Sequence, residues 1–196
     1  MNSVSKWDEY ADGWDTNEDV RHYAELAFAK LEEHIQPNGL RVLDFGCGTG
    51  LLTEKLAPHA SAVIAIDPST KMVEVLREKN ITNVTVIEAL LTSDLLETEP
   101  SLQHPFDLIV ASSVCAFLPD FLGTLSLFKR LLKPGGHFVQ WDWKAFEESP
   151  DFGFTPDSLT EAYKAAGLEV VLTEESFVLA TEKKRMTTVM GVAKRS

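Results

Sequence analysis

The sequence predicts an α/β domain in three layers around a mostly parallel sheet, and three observations carry that prediction. Short β-branched runs alternate five times with segments of helical periodicity, the order in which helices wrap a parallel sheet. The first run, Val42 to Phe45, stops in Gly46, Gly48 and Gly50, as a buried strand does when it enters a tight turn that a ligand approaches closely. At the other end of the chain, Glu169 to Val178 and Met186 to Lys194 are apolar stretches around a charged turn, the pattern of an antiparallel hairpin.

Taken in order, Val20, Ala24, Ala27, Phe28, Leu31 and Ile35 recur at three- and four-residue steps and predict a helix from Asn17 to about Ile35, stopped by Pro37-Asn38-Gly39. Ahead of it Trp7, Tyr10 and Trp14, spaced by three and four, fall on one helical face, a stripe that serves either as core or as a lid. Arg41 to Phe45 is the first strand. A helix follows from about Gly50 to Leu56, before Pro58, and Ala62 to Ile66 is the second strand. Pro68 is expected in the first turn of the next helix, with Ser69 or Thr70 at its start and Met72, Val73 and Leu76 on one face up to about Lys79. Asn83 to Ile87 is the third strand, and Thr92 to Pro105 reads as a loop with at most a short helix. Phe106 to Ala111 is the fourth strand, followed by a helix from Asp120 to Leu132. Lys133-Pro134-Gly135-Gly136 has turn chemistry, and the fifth strand is expected from His137 to Trp143. A helix from Pro156 to Ala166, closed by Gly167, precedes the hairpin.

The 196 residues, 44% of them hydrophobic, fit a single domain spanning 1–196. A net charge of −12 argues against a nucleic-acid partner, whose phosphates would need neutralising, and the one compact basic patch, Lys183, Lys184 and Arg185, reads as a solvated turn. Apolar runs are too short to cross a bilayer, and the acidic first fifteen residues lack an apolar stretch, so a soluble cytoplasmic protein with no membrane partner is expected. Cys47 and Cys115 form neither a disulfide framework nor a zinc pattern, and the five histidines are scattered. No metal site is expected.

Asp67 ends the second apolar run at the carboxyl tip of a strand, where open α/β sheets hold ligands and where a ribose diol would lie; capping the next helix is its bland role. A dinucleotide fingerprint needs a third glycine at position 51, which is Leu51, so a nicotinamide-dependent oxidoreductase is disfavoured. The pattern is G-x-G-x-G, preceded by Asp44. With VIAIDPSTKMVEVL, FDLIVASSVCAFLPD and LLKPGGHFVQWDW in order, the chain from about 41 to 143 resembles the class I S-adenosylmethionine-dependent methyltransferases.

That resemblance implies a seven-stranded Rossmann-like sheet in the order 3-2-1-4-5-7-6 with its last strand antiparallel. It implies S-adenosyl-L-methionine as cofactor, S-adenosyl-L-homocysteine as product and a small molecule as methyl acceptor. Asp44 is then directed at the cofactor's amino group, or serves as a buried partner of the glycine loop. Gly46, Cys47 and Gly48 line the turn, Pro68 and Met72 cover the adenine (or, for Met72, fill the core), and Ala111, at the end of the fourth strand, is a further cofactor-binding residue. Where relatives carry an acid for the adenine amino group this chain has Leu90, which leaves backbone groups of Ala89 and Leu90, with Glu88 or Asp94 as weaker candidates. Residues 1–36 are a helical cap, with Tyr10 and Trp14 over the cofactor's tail. No catalytic residue is assigned: many relatives have histidine or glutamine at Ala116, and this chain offers only Ser112, Ser113 and Cys115, the last expected to be a buried thiol. Trp141 and Trp143 share a face of the fifth strand, with Asp142 on the other, as candidates for the acceptor pocket. Because no base stands near Ala116, a cofactor-binding regulatory protein without catalysis is the alternative.

Overall fold

A computed structural model describes residues 3–146, 152–180 and 185–196; Lys183 and Lys184 of the basic patch and part of the polar loop after the fifth strand lie outside them. Seven strands form one sheet in the order β3-β2-β1-β4-β5-β7-β6, and the chain divides into two compact units, Met1–His104 and Pro105–Ser196.

In the first unit β1 (Arg41–Phe45), β2 (Ala62–Asp67) and β3 (Val84–Glu88) pair in parallel, Val42 with Val63 and Val63 with Val84. The apolar residues of β1 and β2 are buried, as expected of strands covered on both faces. The helices are α1 (Ser3–Ala11), α2 (Glu18–His34), α3 (Leu51–Leu56), α4 (Thr70–Glu78) and α5 (Ser93–Thr98). α2 starts where the Asn17 side chain accepts from the amides of Asp19 and Val20, and it buries Tyr23, Ala24, Ala27 and Leu31 against α3. α4 lies on β2 and β3 through Met72, Val73 and Leu76. Its N-cap is Ser69, so Pro68 stands one residue outside the helix and not in its first turn. The expected loop after β3 contains α5, capped by Thr92, and a 3-10 turn at Pro100–Leu102.

The second unit holds β4 (Phe106–Ser112), β5 (Leu132–Trp143), β6 (Glu169–Ala180) and β7 (Arg185–Lys194), with α6 (Phe121–Leu131) and α7 (Pro156–Ala165). β4 and β5 are parallel; β5–β7 and β6–β7 are antiparallel, as the hairpin pattern requires. β5 begins five residues earlier than its sequence suggests. Lys133 to Gly136 keeps turn-type residues, yet the Gly135 amide donates to the Arg195 carbonyl at 2.7 Å and the Arg195 amide to the Gly136 carbonyl at 2.9 Å, so the segment is an irregular strand edge. The register of β4 on β5 shifts there, between Phe106 and Leu108.

Candidate functional site

β1 and β2 end side by side, Phe45 opposite Ile66, which brings the turn after β1 onto Asp67. The amides of Gly46 and Cys47 both donate to the Ile66 carbonyl, at 2.8 and 3.2 Å. The Gly48 amide donates to Asp67 Oδ2 at 3.0 Å, and the Ser69 amide to Asp67 Oδ1 at 2.8 Å. Asp67 therefore fixes the turn while each oxygen retains a lone pair for a further donor. Gly46, Gly48 and Gly50 have φ of 68°, 53° and 85°, a region that side chains disfavour. At Gly48 a Cβ would find only Met72 Sδ within 4 Å, at 3.9 Å, so the turn leaves a cradle there. Gly50 differs: its Cβ would fall 2.3 Å from Leu76 Cδ1, so the absence of a side chain at this third glycine makes room for α4.

Asp44 is 1% exposed and accepts from the Thr53 hydroxyl of α3 at 2.6 Å; its partner is a side chain of the next helix and not the glycine loop. Burial pushes its carboxyl up to about 7, with the Thr53 bond opposing and the nearby Asp67 charge adding to the rise. Burial also raises Asp67, against the bonds from Ser69 and Gly48. Burial, then the charges of Asp44 and Asp67, raise the Cys47 thiol well above its ordinary value, which keeps it protonated and unreactive.

The N-terminal segment reaches this turn through polar contacts that periodicity does not reveal. Asp8 Oδ1 accepts from the Ser69 hydroxyl at 2.7 Å and from the Lys71 amide at 3.2 Å, clamping α1 to the start of α4. Asp15 accepts from the Thr49 hydroxyl at 2.5 Å and pairs with Lys79 at 2.7 Å. Trp7, Tyr10 and Trp14 gather with ring centroids 6.1 to 6.2 Å apart, although Trp14 belongs to a 3-10 turn beyond α1, reached through Gly13 at φ 83°. Tyr10 is 57% exposed and the two tryptophans are half-buried, so the cluster stands outside the core.

Beyond β3, Leu90 is 63% exposed and Ala89 is half-buried, with its amide donating to the Asp67 carbonyl at 3.2 Å. Glu88 is engaged elsewhere, accepting from the Thr70 hydroxyl at 2.6 Å and from Arg77 at 3.2 Å, and Asp94 is exposed in the first turn of α5. Met72 is 2% exposed, and Pro68 is half-buried beside Asp67.

In the second unit Ala111 is buried in β4 opposite Gln140. Ser113, just past the strand, holds φ 56°, strained for a side-chain-bearing residue, while its amide donates to the Trp141 carbonyl at 2.7 Å. A 3-10 turn, Cys115–Phe117, follows. Cys115 is the expected buried thiol, raised well above its ordinary value by burial and by Asp142. Trp141 is wholly buried and belongs to the core, whereas Trp143 is half-buried. Asp142, on the opposite face from the two rings, contacts the turn: the Ala116 amide donates to its Oδ1 at 3.2 Å.

Residues 43–138 match the family described as a methyltransferase domain. An uncharacterized methyltransferase of Schizosaccharomyces pombe is 30% identical over an alignment of 173 residues that covers 75% of this chain and 61% of that protein. A ubiquinone biosynthesis O-methyltransferase of Xylella fastidiosa is 33% identical over 108 residues, 54% of this chain and 43% of its own length. The chain thus spans about half the length of these relatives. An S-adenosylmethionine-dependent methyltransferase from Aquifex aeolicus shares the fold, with TM-score 0.73, 22% identity and full coverage of both chains. The glycine turn, the seven-strand order and these matches agree: residues 43–138 match a methyltransferase domain, and the chain has the fold of an S-adenosylmethionine-dependent methyltransferase.

Proposed function

We propose that this protein binds S-adenosyl-L-methionine at the glycine turn of the first unit and transfers its methyl group to a small-molecule acceptor, leaving S-adenosyl-L-homocysteine. One observation carries the reading: a buried carboxylate, Asp44, and a half-buried one, Asp67, flank an open glycine cradle, and among the described residues neither is paired with a cation. Such a site suits a ligand bearing an ammonium, a sulfonium and a ribose diol; the pyrophosphate of a dinucleotide would meet like charge there. The bound cofactor supplies an activated methyl group.

The residues of this chain bind and orient. Asp67 accepts from the ribose hydroxyls with the lone pairs left beside Gly48 and Ser69. Asp44 Oδ1 faces the amino group while Oδ2 keeps the Thr53 hydroxyl. Gly46, Cys47 and Gly48 bring backbone close to the ligand, Pro68 and Met72 give the adenine apolar cover, and the Ala89 and Leu90 backbone meets its edge. Tyr10 and Trp14 close over the tail and exclude water. Residues 1–196 act as one domain with 1–36 as its cap. We assign the protein to the cytoplasm, the compartment that suits two free, buried cysteines.

Calorimetric titration tests this directly. S-adenosyl-L-homocysteine is expected to bind and NAD to give no heat of binding; tight NAD binding without a response to S-adenosyl-L-homocysteine overturns the assignment.

A further inference from the structure

We propose that Asp142 is a positioning residue, the group that holds the Cys115–Phe117 turn at the carboxyl end of β4, and that the turn loosens when this carboxylate takes up a proton. The inference rests on the methyl-transfer reading only in giving the turn to the acceptor side.

The carboxylate is the hub of a buried relay joining three segments of the second unit. Tyr163 of α7 donates its hydroxyl to Gln140 Oε1 at 2.9 Å. That bond sets the orientation of the amide, so Gln140 Nε2 faces Asp142 Oδ2 and donates at 3.0 Å. Asp142 Oδ1 accepts from the Ala116 amide at 3.2 Å, and both the thiol and the backbone amide of Cys115 also donate to the carboxylate. Cys115, Gln140, Asp142 and Tyr163 are all buried. Every donor points inward to an acceptor that is only an acceptor while ionised. A protonated carboxyl would set a hydroxyl against one of those donors, and the turn would lose part of its anchor.

No cation neutralises this group among the described residues. The titratable groups facing it are the Cys115 thiol from the turn and the Tyr163 hydroxyl from α7, both held neutral by burial, while β7 presents Val189 opposite it and β4 ends at Ser112. Burial without a counter-charge raises Asp142 to about 7, despite the bonds from Ala116, Gln140 and Cys115. The geometry and the position of this equilibrium together make the turn sensitive to pH near neutrality. Phe117, exposed at the end of the turn, moves with it.

Amide hydrogen exchange and ¹⁵N chemical shifts of the full-length protein, followed by NMR from pH 8.5 to 5.5, test the proposal. The Ala116 and Phe117 amides are expected to shift with one midpoint near neutrality, and the protection factor of Ala116, corrected for intrinsic exchange, to fall at least fivefold toward acid. Asp142→Asn should abolish that midpoint. Cys115→Ala, which removes one donor to the ionised form, should move it upward and provides the test if Asp142→Asn does not fold. Amides that stay unchanged across the range, or a midpoint that survives in Asp142→Asn or stays put in Cys115→Ala, overturn the assignment. Titration of the parent protein with S-adenosyl-L-homocysteine is read separately: failure there overturns the functional reading and leaves the role of Asp142 to the amide measurements.

Discussion

Asp44 in the first unit and Asp142 in the second are both buried carboxylates toward the carboxyl ends of their strands, and burial lifts both to about 7. They differ in what surrounds them. Among the described residues Asp44 has one hydrogen-bond donor, the Thr53 hydroxyl, whereas Asp142 collects donors from Ala116, Gln140 and Cys115. A carboxylate left mostly unmet by its own protein is available to a ligand; one that is fully met serves the fold. Two groups with the same titration behaviour therefore have opposite assignments, and only the count of donors separates them.

The widest separation is expected in stability. Asp142→Ala strands several buried donors at about 1–3 kcal/mol each and should cost about 3–5 kcal/mol in all, while Asp44→Ala strands one hydroxyl and should cost about 1–3 kcal/mol. Chemical denaturation of the two variants measures this; equal losses would erase the distinction. In ligand binding the order reverses. Asp67→Ala should weaken S-adenosyl-L-homocysteine more than tenfold, from the loss of charge-assisted bonds of roughly 1.5–3 kcal/mol each, and Asp142→Asn should leave that affinity within about twofold.

A pH series sharpens the pair further. Between the unfolded value of 3.8 and the folded value of about 7 the native protein keeps protons that the unfolded chain has released, so both groups withdraw stability as pH rises through that window and add no slope above it. Melting temperature should therefore decline from pH 4.5 to 7, and Asp44→Asn should flatten part of the decline; an unchanged slope in that variant would place the proton elsewhere. The smallest expected effect on stability comes from deleting residues 1–15. Because Trp7, Tyr10 and Trp14 stand outside the core, the melting temperature should fall only by the share of the Asp8 and Asp15 bonds, while S-adenosyl-L-homocysteine affinity falls sharply. A destabilised protein that binds at parental affinity would reverse the assignment of that cluster.

How far the sequence foretold this depends on the range of each interaction. Strand order and the meeting of the glycine turn with Asp67 follow from local signals and family likeness, since apolar runs and glycines announce themselves within a few residues. Asp8 bonding Ser69, Asp15 bonding Thr49, Tyr163 bonding Gln140 and Ala116 bonding Asp142 join residues 23 to 61 positions apart, and nothing in their spacing marks them as partners. Alternation put Trp141 and Trp143 on one face without saying which face was core, and Trp141 proved wholly buried. Lys133 to Gly136 misled for the opposite reason. Its turn residues are real, but pairing with Arg195 outweighs them.

The contact between Gly50 and Leu76 couples two positions that a residue-by-residue reading would keep apart. Alanine at 50 meets both the Leu76 methyl and an unfavourable φ of 85°. Shortening Leu76 would relieve the first penalty and leave the second, so a Gly50→Ala, Leu76→Ala pair should recover only the overpacking share, about 1–3 kcal/mol, of what Gly50→Ala loses, offset by the cavity left in α4. Substitution at either position is thus constrained by the other, and a larger side chain tolerated at 50 in a relative implies a smaller one facing it from α4.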